Sequence, residues 1–461
     1  MSTSRRSIPA VVALVLLGAV VISVLIFQNS PQHSNPAELP ENSTDSKSPQ
    51  QELSQALRSL ASENPPLQQF YESSGYTPVW VKPDGWTERG EQATVALRAA
   101  AMRGLHSEAY VSGLDRPEPA QLEIAITTNL MRFAADIRSG RWNPNIYKPT
   151  DLVPPSYELA RSVADDPDGV EAALRKLDPP FAEYQRLETA LADYRRRTDD
   201  PNQTEKVEQI ERTLEQWRWL PHTYQRGPIL VNLPEFRLRA LNNKLEVALE
   251  MNVVVGQLKH PTPLFMGAMK YVVFGPYWNV PSSILNNELI PDIVKDRTYL
   301  GRNGYEVVNA DGAVVAGDEV SDEVLSGMKS GKMRVRQVPG VKNALGKVKF
   351  LFPNDDNIYL HDTNSPRLFA REVRAFSHGC VRVSEPQKLA EWVLQGESAW
   401  TPERIAAALT TTKQQQANLS EPIPVLMLYH TVTVGVDGEA HFLKDLYGRD
   451  AELKARMAAQ P

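Results

Sequence analysis

The spacing of apolar residues changes partway along the chain. Between residues 53 and 221 they recur mostly at steps of three and four. Leu122, Ile126, Leu130, Phe133 and Ile137 line one helix face, and Gly140 follows as a stop. Tyr184, Leu187, Leu191 and Tyr194 line another. The segment Gly75-Tyr76-Thr77-Pro78-Val79-Trp80 reads as a turn into a short extended piece. Charged residues in this region read as solvated faces, and no catalytic cluster stands out.

From residue 227 the period falls to two. Residues 229–233, 236–240, 245–256 and 271–274 read as short strands. Residues 425–429 and 431–434 are expected to close the same sheet, and 451–461 to be a polar tail. Residues 282–345 interrupt the pattern. There, 285–295 looks helical, 312–317 reads as a turn and 318–332 is polar. The expected class is α+β: a helical domain over 53–221, then a mainly β domain over 227–450, a sandwich or barrel-like sheet carrying an insertion.

Residues 8–27 are an uncharged apolar run behind Arg5 and Arg6. About 20 residues of helix span roughly 30 Å, the thickness of a bilayer core. No clear cleavage pattern follows. The run is expected to be a transmembrane anchor, with residues 1–7 cytoplasmic and the rest of the chain outside the membrane. Residues 28–52, rich in Ser, Pro, Asn and Gln, read as a flexible linker.

Composition narrows the function. The chain has 461 residues, a net charge of -6 and a pI near 5.9, which argue against a nucleic-acid partner. Gly327-Met328-Lys329-Ser330-Gly331-Lys332 is one residue short of a phosphate loop, and Met333 stands where Ser or Thr is needed.

The single cysteine, Cys380, cannot form an internal disulfide. It lies in Ser377-His378-Gly379-Cys380-Val381-Arg382-Val383. Gly379 permits a tight turn. Strand alternation places the thiol and the Arg382 guanidinium on one face. Ser384-Glu385-Pro386-Gln387 reads as a capping box opening a helix with Leu389, Trp392 and Val393 on its apolar side. A nucleophilic thiol needs a base. His361, in Ile358-Tyr359-Leu360-His361-Asp362, is the best candidate, on the strand face opposite Ile358 and Leu360. His378 is the rival base, though inside the turn it reads mainly as ordering it. Backbone N–H groups at Gly379 and Cys380 are candidate oxyanion donors. Tyr359 is either a further donor or a plain strand aromatic. Arg382 either holds a substrate carboxylate or pairs with a local acid.

At these residues the chain resembles the YkuD-type L,D-transpeptidases, whose pattern is a His, a spacer and Ser-His-Gly-Cys-Val/Ile-Arg. Phe350-Leu351-Phe352-Pro353-Asn354 and Pro276-Tyr277-Trp278-Asn279-Val280-Pro281 resemble the long, YcbB-like branch. The resemblance implies a YkuD catalytic domain, a scaffold domain before it, and a cap over the substrate groove at about 282–345. The small peptidoglycan-binding module of many long relatives has no counterpart between Tyr194 and Ile210. The implied activity is acyl transfer from a peptidoglycan stem peptide through a thioester on Cys380. His361 would act as proton acceptor and donor, a backbone carbonyl would fix its tautomer, and Ser377, His378 and Gly379 would support the turn. No cofactor is implied. Three other readings stand beside it: an L,D-carboxypeptidase or hydrolase using the same pair, a zinc site of His361, His378 and Cys380, and a non-catalytic wall-binding scaffold.

Overall fold

The computed structural model describes residues 47–147 and 153–459. The apolar run at 8–27 lies outside them. Among the described residues, no helix is long and apolar enough to cross a membrane. The expected linker ends early. A helix, Pro49–Ala61, starts inside it, capped by Ser48, whose side chain accepts from the Gln51 N–H while the Gln51 side chain accepts from the Ser48 N–H.

The helical half is built around α1 (Pro119–Ser139), which buries Leu122, Ile126, Leu130, Phe133 and Ile137 and ends at Gly140 with φ 79°. Charged residues here are not all solvated. Glu123 is fully buried, and its carboxylate accepts from the N–H groups of Val79, Trp80 and Val81 at 2.7, 2.8 and 2.9 Å. Arg103 meets Asp178 at 2.7 Å with both side chains buried. Periodicity marks the apolar stripe of a helix. It does not show that surrounding segments also cover the charges flanking that stripe.

Helices α2 (Ala182–Arg196) and α3 (Gln203–Arg218) are joined by residues 197–202, a loop too short to hold a folded module. The expected tail is instead a helix, Arg449–Ala459, with Leu453 and Met457 in the α2–α3 core and Asp450 bonded to Arg212 at 2.9 Å.

The β half contains β1 (Ile229–Asn232), β2 (Arg237–Leu241), β3 (Val247–Gly256), β4 (Met266–Phe274), β5 (Val348–Leu351), β6 (Leu360–His361), β7 (Val381–Val383) and β8 (Gln415–Leu428). In the nine-stranded sheet these follow the order β3-β7-β6-β5-β4-β8-β1-β2, and β2 also pairs with β3, so the ring closes. Ala375–Ser377 adds outside the ring along β3. Pairing is antiparallel except at β6–β7, β8–β1 and this added strand. Alternation sorts the side chains. Ile229, Val231, Val425 and Met427 join the main β core, whereas Leu230, Leu426 and Leu428 join the core shared with α2 and α3. Val432–Val434 does not close the ring as expected. It pairs with Ala440–Phe442 in a separate hairpin against the helices.

The insertion has its own core, including Leu285, Leu289, Ile293, Val307 and Leu325. It also has a four-stranded sheet that begins at Trp278–Asn279 and includes Val314–Ala316, where a turn was expected. The polar stretch contains a helix, Asp322–Lys329.

Candidate active site

Strands β5, β6 and β7 lie side by side. Their register sets Lys349 opposite His361, and His361 opposite Arg382. Directly paired residues point to the same face. That face is opposite to the one where Phe350, Leu360 and Val381 enter the main core. Tyr359 and Cys380 precede His361 and Arg382 by two positions, so alternation sends their side chains the same way.

Two loops aim these groups. After β5, the Asn354 amide brackets the chain, donating to the carbonyls of Phe352 and Ile358 at 2.7 Å each and accepting from the Ile358 N–H at 3.0 Å. Before β7, the Ser377 hydroxyl accepts the Gly379 N–H at 3.1 Å. The buried Thr262 hydroxyl donates to the Gly379 carbonyl at 2.7 Å. Gly379 has φ +113°, and a Cβ there would stand 3.1 Å from Ile358 Cδ1. The turn that lifts Cys380 therefore needs glycine.

His361 is buried, with Nδ1 2.5 Å from the carbonyl oxygen of Asp362. A carbonyl can only accept, so Nδ1 carries the proton and Nε2 is the basic nitrogen. The Asp362 carboxylate plays no part in this, because it accepts the Lys347 N–H at 2.8 Å. Cys380 is partly buried, and its Sγ points at the Asn357 carbonyl, 3.7 Å away. The Tyr359 N–H and hydroxyl both approach the sulfur. Among the described residues no hydrogen bond joins Sγ to His361. The two side chains share a face on adjoining elements, and the thiol is turned toward Asn357.

Residues 227–404 match the family model of the L,D-transpeptidase catalytic domain, YkuD. The chain carries an L,D-transpeptidase catalytic domain. Residues 65–191 match the model of a scaffold domain. A Haemophilus influenzae protein named "Putative L,D-transpeptidase" is 35% identical over 225 residues, which are 49% of this chain and 45% of that protein. The alignment thus spans less than half of the relative.

Within the L,D-transpeptidase domain the remaining expected residues separate. His378 is engaged elsewhere: its Nε2 lies 2.7 Å from Glu288 of the insertion, and its ring stacks on His260 at 4.9 Å. The Gly379 N–H is taken by Ser377, so it is not a free oxyanion donor. The Cys380 N–H has no acceptor among the described residues and remains a candidate. The zinc alternative has no ligand set: among the described residues, no group of three His, Cys, Asp or Glu side chains is placed to hold a metal.

Three contributors were missing from the sequence reading. Lys349 leans over the Tyr359 ring with Nζ 5.9 Å from its centroid. Trp278, from the four-stranded sheet, meets the Tyr359 hydroxyl. The Asn357 carbonyl receives the thiol. Two of them left a sequence signal: a single Lys in the apolar run Val348-Lys349-Phe350-Leu351, and Trp278 inside the Pro276-Tyr277-Trp278-Asn279-Val280-Pro281 motif.

Burial dominates the electrostatics. It pushes His361 down to about 3, and the Arg382 and Lys349 charges add to this. The Cys380 thiol is pushed up by burial, against the opposing pull of the Tyr359 hydrogen bonds, Arg382 and Lys349. The resting pair at neutral pH is therefore thiol and neutral imidazole. The alkylation rate of Cys380 by iodoacetamide should rise about tenfold per pH unit from 6 to 8, with no plateau at the ordinary thiol value of about 8.5. A plateau near pH 6, measured by intact mass, would instead indicate a thiolate–imidazolium pair.

Proposed function

We propose that this protein is a peptidoglycan L,D-transpeptidase working through a thioester on Cys380. What supports this most is the position of His361. Its tautomer is fixed by the Asp362 carbonyl, and it stands on the strand beside the cysteine turn. As a donor stem peptide enters, Sγ leaves the Asn357 carbonyl and attacks the carbonyl between diaminopimelate and terminal D-Ala. The thiol proton passes to His361 Nε2. The Cys380 N–H, with Tyr359 beside it, faces the developing oxyanion. The C–N bond then breaks, and His361 returns its proton to the leaving amine. An amine on a second stem attacks the thioester and gives its proton to His361; as the C–S bond breaks, His361 passes that proton to the Cys380 sulfur, restoring thiol and neutral imidazole. The cap, tied to the cysteine turn by Glu288 and His378, would cover the groove.

The donor chemistry can be tested directly. Incubating the protein with a disaccharide tetrapeptide should give an adduct on Cys380 lacking D-Ala, then dimers linked between third residues. Mass spectrometry showing only trimmed monomers would replace transpeptidation with L,D-carboxypeptidation. No adduct and no product would leave a wall-binding scaffold.

Location belongs to the same proposal. Residues 8–27 would anchor the chain in the inner membrane, with the catalytic domain in the periplasm. The full-length chain should then stay with membranes through alkaline carbonate washing. Release into the supernatant would exclude the anchor.

A further inference from the structure

The L,D-transpeptidase site carries two cations with no anion of its own. Lys349, His361 and Arg382 form one row across β5, β6 and β7. Neighbouring strands lie about 4.8 Å apart, so both cations flank the imidazole within side-chain reach. The row ends in Val273 beyond Lys349 and Val254 beyond Arg382, both buried. Neither cation forms an ion pair or hydrogen bond with a described residue, and Arg382 Nε is buried with no partner. Asp362, the acid next to His361, faces away onto the Lys347 N–H. Apart from the Tyr359 ring beneath Lys349, these half-buried cations have no partner, which is costly, and a carboxylate from outside would satisfy them.

The reaction says where such a carboxylate would fall. His361 Nε2 must hand a proton to the leaving amine. In the residue released, the carboxylate is only two bonds from that nitrogen. A terminal carboxylate on the leaving residue must therefore land beside His361, where the two flanking groups are Lys349 and Arg382. With one more residue on the donor, the charge would move past the row and an amide would take its place.

We propose that Lys349 is a specificity-determining residue: with Arg382 it holds the free carboxylate of the leaving residue, so that donors ending directly after the scissile bond are selected. This rests on the acyl-transfer reading above and deepens it.

The test compares the free-acid tetrapeptide with its C-terminal amide, in wild-type protein, Lys349→Met and Lys349→Arg. Methionine keeps the length and apolar stem of the side chain; arginine keeps the charge. Acylation is followed by intact mass, and iodoacetamide labelling gives thiol reactivity without any substrate carboxylate. Wild type should prefer the acid at least tenfold. Lys349→Met should lose about ten- to a hundredfold in kcat/KM on the acid, mainly through KM. On the amide it should lose no more than it loses with iodoacetamide. Lys349→Arg should keep most of the preference for the acid. An equal loss on acid and amide, or no acid preference in wild type, would overturn the role of Lys349. If wild type forms no acyl adduct with either donor, the acyl-transfer reading itself fails.

Discussion

Replacing His361 with glutamine is expected to slow acylation of Cys380 about a hundred- to ten-thousandfold. The size follows from the resting state. Burial holds the thiol largely protonated, so attack requires removal of a proton during the step. His361 puts a basic nitrogen on that face, Nε2, which burial keeps unprotonated at neutral pH, its Nδ1 being committed to the Asp362 carbonyl. Glutamine approximates the size and can still donate to that carbonyl, but it cannot accept a proton. The loss should therefore appear in kcat more than in KM. Because Lys349 and Arg382 remain, iodoacetamide labelling of the variant at pH 9 to 10 should stay close to wild type. The pH profile supplies a second check. With His361 near 3, wild-type kcat/KM should show no loss from histidine protonation between pH 7 and 5. A fall centred near 6.5 would mean that the base is a solvated imidazole, not a buried one. Cys380→Ala should abolish the adduct altogether.

The parts of this site that the sequence revealed are those set by strand alternation and local motif. Cys380, Arg382, Tyr359 and His361 share a face because each pair is separated by two residues, and period two needs no knowledge of partners. The helix after the motif was legible, but its cap was not. Ser384 still donates its N–H to Asn252 on β3, so the strand ladder runs one residue further and Pro386–Val393 starts behind Glu385 with no side-chain cap bond. Lys349 was hidden for a different reason. Its importance comes from register with His361, a long-range pairing that no local pattern encodes. The cap sheet was missed because its strands are two to four residues long, too short for alternation to emerge. His378 was read as ordering its own turn. Its acceptor, Glu288, lies 90 positions away in the cap.

The largest expected effect on stability lies far from the thiol, at Glu123. Its carboxylate is fully buried on α1 and accepts three consecutive backbone N–H groups, from Val79, Trp80 and Val81, with the Tyr71 hydroxyl added at 3.0 Å. These amides belong to the segment that turns from Gly75 into the Val81–Lys82 strand, and that short hairpin offers them few other acceptors. Burial pushes the pKa of the Glu123 carboxyl above the usual carboxylate value, while the three N–H bonds pull it back. Glu123→Ala would leave those donors buried and unsatisfied, at about 1–3 kcal/mol each, and open a cavity as well. Relaxation around the gap would recover part of this, so a loss of about 4 kcal/mol is expected from urea unfolding. Glu123→Gln should lose about half as much, since its single carbonyl oxygen can serve one pair of donors while its NH2 confronts the other. If Glu123→Ala cost less than about 1 kcal/mol, the 79–81 segment would have found other acceptors, and the carboxylate would not be what holds the hairpin onto α1. Should both variants prove equally mild while Trp80 stays buried by fluorescence, packing of that indole against the helix would be the dominant tie.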